Sequence, residues 1–91
     1  MKELFKIKST TDVGKLAGAI AHATREGVAI ELQAMGAGAL NQAVKATIVA
    51  KGYLSVGGID ISLIPSFKDI EAEGEERTVV VMKVKVEGRD D

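Results

Sequence analysis

The residues of this chain with chemistry to offer are few, and they gather around one break in its pattern. Gly36-Ala37-Gly38 closes an apolar strand and opens a helix. Glycines here admit backbone angles closed to other residues and let a ligand or a second chain come close. The free N–H groups of a helix start point into the same opening, where the helix dipole favours an anion such as a phosphate. A turn that only lets strand and helix pack explains the two glycines equally well. The run GAGALN lacks the third glycine of the dinucleotide fingerprint GxGxxG at its proper place.

Asn41 and Gln42 begin the exposed side of this helix, and Lys45 lies one turn beyond Asn41. Amides and a lysine in that position reach phosphate, ribose or a base edge. Capping, solubility or hydrogen bonds across a dimer would use the same residues. Lys15, His22 and Arg25 recur along one side of the first helix, and with Lys45 they would make a modest basic face. A row of this kind is more often simply a solvated surface.

Catalysis is not expected. It would need a nucleophile with its base, paired acids or a set of metal ligands. The chain has one His and no Cys, and its Ser and Thr residues form no nucleophile motif. The acidic run from Asp69 to Glu76 fits no calcium loop. It reads as a solvated hairpin tip, or as a surface for a basic partner. No metal and no cofactor is expected.

Composition narrows the class. Ninety-one residues make one domain, read as 1–87 with a charged tail at 88–91. A domain of this size buries only about 60–65% of its unfolded surface, so assembly into an oligomer would add needed burial. With 46% apolar and 27% charged residues the chain is of ordinary globular type. Aromatics at 3% remove the stacking platforms of single-strand binders, and a net charge of −1 argues against a coat protein held on nucleic acid by bulk charge while leaving room for a local basic face. MKELFKIKS has no apolar signal core, and no run approaches a membrane span. A cytoplasmic location is the expectation.

The elements that position these residues follow from periodicity. Glu3 to Lys8 alternates as a strand, with Phe5 and Ile7 on one face. After the cap-rich Ser9-Thr10-Thr11-Asp12, a helix runs from Val13 to about Glu26 and turns inward Val13, Leu16, Ala17, Ile20 and Thr24. Gly27 stops it. Gly14 and Gly18 inside it suggest close packing or contact. Val28, Ile30 and Leu32 make a second strand. The second helix runs to Gly52 and buries Leu40, Ala43, Val44, Thr47 and Ile48, with a flexible connection at 55–58. Ile59 to Phe67 is a third strand, which Pro65 places at a sheet edge or a bulge. Arg77 to Val86 is a fourth, and Lys68 to Glu76 forms a long hairpin arm turning near Gly74.

The order is β-α-β-α-β-β. Right-handed crossovers put both helices on one face of a mixed four-stranded sheet, an α/β two-layer sandwich. The other face of the sheet is left open unless it is charged or covered by a partner.

The segments QAMGAGALNQAVKA (33–46) and IPSFKDIEAEGEERTVV (64–80) carry a resemblance to the stage V sporulation protein S (SpoVS) family, extending over roughly Lys2 to Glu87. That family is similar in fold to Alba, small dimeric chromatin and RNA-binding proteins. The resemblance implies a dimer or higher assembly, binding of DNA or RNA and a regulatory role in sporulation. Where Alba proteins place basic residues before helix one and around the loop into helix two, this chain has Ser9-Thr10-Thr11-Asp12 and then Gly36, Gly38 and Gln42. On this reading the contacts to nucleic acid or anion fall to Lys15, Gly36, Gly38, Asn41 and Lys45. Two other readings stay open: an interaction scaffold using the acidic arm and the dimer faces, and a small-anion sensor at Gly36–Gly38.

Overall fold

β1 (Lys2–Ile7) and β2 (Ala29–Ala34) lie side by side in parallel because α1 (Val13–Arg25) joins them as a crossover. α2 (Ala37–Ser55) then carries the chain over β2 and β4 to the far edge, where β3 (Ile59–Ala72) and β4 (Glu75–Gly88) form a hairpin. The strand order is β1-β2-β4-β3, with β4 antiparallel to both neighbours. The structure, a computed structural model, describes residues 1–88. It has the expected β-α-β-α-β-β order and mixed sheet. Pro65 sits on an edge strand, opposite Met82, where its missing N–H interrupts the ladder least.

α1 has both ends specified by sequence. The Asp12 carboxylate accepts the backbone N–H of Lys15 at 2.9 Å, satisfying an otherwise orphaned donor. At the other end Gly27 takes φ 73°, its N–H donates to the Thr24 carbonyl, and the Val28 N–H reaches back to Ala23. Those paired bonds close the last turn as a Schellman motif. The inward stripe of Leu16, Ala17, Ile20 and Thr24 is buried as its spacing implies. Gly18, by contrast, faces open space, so close packing does not explain it.

α2 departs from its sequence reading in two ways. It continues past Gly52 to Ser55 and is stopped instead by Gly57 and Gly58, whose N–H groups donate to Leu54 and Ser55. Its buried face is also rotated. Ala39, Ala43, Ala46, Thr47, Ala50 and Leu54 point inward, while Val44 and Ile48 are exposed, Ile48 at 61%. The reason is room: α1 and α2 pack against each other as well as on the sheet, and alanines let helix backbones approach where valine and isoleucine would hold them apart.

The core lies between helices and sheet, with Ile7, Ile20, Leu32, Leu54, Ile61 and Met82 at its centre. β3 and β4 outrun the sheet. Val80 is the last β4 residue opposite β2, yet β3 and β4 stay paired from Lys68↔Val79 to Ala72↔Glu75. The arm is thus a continuous ribbon, not a loop between shorter strands. It turns at Glu73-Gly74, both with positive φ, as the twist of a tight hairpin requires. Of the expected charged tail, Gly88 belongs to β4 and 89–91 lie outside the described residues.

Candidate nucleic-acid interface

Both crossovers leave the sheet at one edge, the carboxyl ends of β1 and β2, which is where open α/β sheets commonly place ligands. The two loops touch there. A Cβ built on Gly38 would lie 2.8 Å from the Ser9 Cβ, so only glycine lets the start of α2 sit against the β1–α1 loop. Gln42 fastens the same junction, its Nε2 donating 2.9 Å to the Thr11 carbonyl. That bond turns Gln42 partly inward, away from the exposed side expected for it.

Gly36 has a different job. It precedes α2 with φ 92° and ψ 162°, a backbone region essentially reserved for glycine, and it supplies no side-chain cap. The first N–H groups of a nineteen-residue helix therefore open onto the edge without a carboxylate of their own.

Beside them is a groove of about 540 Å³ whose lining includes Lys6, Lys8, Gln33, Gly36 and Gly38. Lys6 and Lys8 were not among the residues singled out from sequence. Their signal was alternation: Lys6 is near the end of β1 and Lys8 just past it, on the neighbour of the strand that runs into the glycine break. Gln33 is their cross-strand neighbour through Lys6 and is 9% exposed, and its side-chain amide has no hydrogen-bond partner among the described residues. Cationic ammonium groups, an amide and helix N–H groups around one groove form a set that suits a phosphate oxygen.

The residues picked from sequence divide. Gly36 and Gly38 line this groove. Lys15, in the first turn of α1, and Asn41 and Lys45 on α2 are exposed and lie outside its lining. His22 is exposed, and Arg25 is engaged, its Nη2 donating 3.0 Å to the Tyr53 carbonyl and tying α1 to the last turns of α2. A larger depression, about 820 Å³, lies at the opposite end of the sheet beside Lys51, Gly58 and Asp60. Its lysine is already committed to Asp60 at 2.7 Å and to the Ile61 carbonyl at 3.0 Å. No group of metal-ligating side chains occurs among the described residues.

The sheet face away from the helices carries one buried carboxylate. Glu31 accepts from the Lys2 ammonium at 3.0 Å. That hydrogen bond, with the charges of Lys2, Lys68 and Lys83, holds it below the ordinary carboxylate value against the opposing effect of burial.

The family model for stage V sporulation protein S (SpoVS) matches residues 3–87. The chain belongs to that family. Among solved structures it is similar to Alba from Thermoplasma volcanium, with a TM-score of 0.62 at 8% identity, over 96% of this chain and 100% of that one. At that identity the likeness concerns the fold, which is Alba-like. Among the described residues no helix is long and apolar enough to cross a membrane.

Proposed function

We propose that this SpoVS-family protein is a dimeric nucleic-acid-binding regulator acting in sporulation or developmental control, and that it binds without catalysing a reaction. The observation that carries the reading is the groove at the carboxyl edge of the sheet, where Lys6 and Lys8 stand beside the uncapped start of α2. Phosphates of a DNA or RNA backbone are the anions such a groove fits. Lys15, Asn41 and Lys45 extend the contact along the helices from there. The family's sporulation role and the Alba-like fold point the same way.

Dimerisation is supported by what the helix layer leaves bare. Val44 and Ile48, one turn apart on α2, are exposed, and so is Phe67, at 81%, on the helix side of β3. Large apolar side chains in such numbers on a small domain mark an interaction surface.

Fluorescence anisotropy of labelled duplex DNA, single-stranded DNA and RNA tests the reading. Binding should weaken as salt rises, and Lys6→Glu with Lys8→Glu should reduce it more than Lys15→Glu with Lys45→Glu. No binding to any of the three polymers at low salt would sink it. A small-anion sensor at Gly36–Gly38 would instead show as heat stabilisation by inorganic phosphate with no affinity for the polymers.

A further inference from the structure

Among the described residues no helix or loop covers the sheet face opposite the helices, and register fixes what stands on it. Lys2 and Lys6 come from β1, Lys83 and Lys85 from β4, Lys68 from β3. Between them Val79 and Val81 are buried although no helix overlies them, so the stems of long neighbouring side chains must close over that strip. The carboxylate within this field, Glu31, is already taken by Lys2, while the remaining acids, Asp60, Glu75 and Glu87, stand toward its ends. A chain of net charge −1 has thus gathered five of its nine lysines on one surface.

The compensating acids are on the arm. Lys68–Ala72 and Glu75–Val79 pair only with each other, and a two-stranded ribbon without a third strand or a packed face is marginally stable in water. Its chemistry makes this worse. Glu71 and Glu76 stand directly opposite each other, a like-charge rung that destabilises the pair. Thr78 donates to Asp69 and Arg77 bridges Glu75, but among the described residues Glu71, Glu73 and Glu76 have no basic partner. The arm lies in the plane of its own sheet, so it cannot fold onto its own lysines.

We propose that the uncovered sheet face is a docking surface for the acidic arm of a second copy of this chain. The lysines of the face relieve the Glu71–Glu76 repulsion, and the arm gains the surface it lacks. A nucleic acid suits the face less well. Running along the strands, it would meet the acidic tip where the face ends, whereas a short ribbon stops on the lysines. The contact is heterologous, because each copy that offers its arm still has a free face, so it builds a head-to-tail assembly, closed where the rotation closes and open where it does not. It shares Lys6 with the groove of the nucleic-acid reading, and its test therefore alters only the arm, Lys83 and Lys85.

Sedimentation velocity over a concentration series, at low and at high salt, tests this with two charge-reversed proteins whose folding is checked by circular dichroism. One carries Glu71→Lys, Glu73→Lys and Glu76→Lys; the other carries Lys83→Glu and Lys85→Glu. Wild type should grow in mean mass with concentration at low salt and lose that growth at high salt. Each reversed protein alone should associate at least about tenfold more weakly. Their equimolar mixture should regain the wild-type behaviour, since each reversed arm then meets an opposite face. Lys83 faces Glu31, so Lys83→Gln with Lys85→Gln serves as a milder version, expected to weaken association without the added repulsion. Wild type of constant mass, reversed proteins that associate like wild type, or a mixture that regains nothing would each overturn the proposal. So would capture of an oligonucleotide by the face with self-association unmoved by arm reversal.

Discussion

α1 and α2 start at the same edge of the same sheet, yet their first turns are built oppositely. α1 closes its start with its own carboxylate, Asp12, on the N–H of Lys15. α2 starts from Gly36, in a conformation that a capping Asp or Ser adopts only under strain. The first helix start is electrostatically spent. The second leaves its N–H groups beside Lys6 and Lys8. The bodies differ too: α1 buries Leu16 and Ile20 along its middle, whereas α2 presents mostly alanines inward until Leu54 in its last turn and leaves Val44 and Ile48 outside. The two helices thus differ in what occupies their caps and their outer faces.

The largest expected effect tests the bodies. Ile20→Ala, at a side chain with no exposure, should cost about 2–5 kcal/mol in a chemical denaturation curve. An effect below about 1 kcal/mol would show that α1 is not the better anchored helix. The counterpart on α2 is enlargement, since most of its interior positions are already alanine. Ala46→Leu should destabilise by about 1–3 kcal/mol through overpacking, and a neutral result would mean that the helix layer has slack there.

The caps come next. Gly36→Asp should lower stability by about 1–3 kcal/mol despite supplying a capping carboxylate, because φ 92° with ψ 162° is closed to it. It should also weaken polymer binding by placing a negative charge at the groove. If the variant were stabilised, the contrast between the two starts would fail. Asp12→Ala should cost about 1 kcal/mol in thermal or denaturant unfolding and leave anisotropy titrations nearly unchanged. A strong binding defect would draw the α1 start into the site. The smallest change is a gain. Gly18→Ala, pointing into open space from a helix interior, should stabilise by about 0.5–1 kcal/mol, read as a higher melting temperature.

Much of the fold was legible because it rests on local rules. Asp12 and Gly27 bracket α1, Pro65 points to an edge strand, and Gly74 marks the hairpin turn. Period-two alternation separates Val80 and Met82 from Val79 and Val81 correctly, since side chains of successive strand residues must point to opposite faces. The family, too, was readable from the segments around Gly36 and Glu76.

Other features depended on neighbours far away in sequence. Whether Val44 and Ile48 or the alanines of α2 turn inward depends on how closely α1 approaches, and both faces satisfy helical spacing. Sequence left Gly38 open between a ligand contact and a packing turn; that its position needs glycine follows from Ser9, twenty-nine residues earlier in the chain and 2.8 Å from a built Cβ. Lys6 and Lys8 became candidates only when the parallel pairing of β1 with β2 brought them to the start of α2. Lys2, Lys68 and Lys83 became one field around Glu31 only through strand order. The sequence by itself determined which segments are helix and strand, where most of them end and to which family they belong, because caps, turns and alternation act within a few residues. The tertiary structure alone decided which helix face is buried and which charges share a surface, because those follow from packing between segments that the chain itself holds apart.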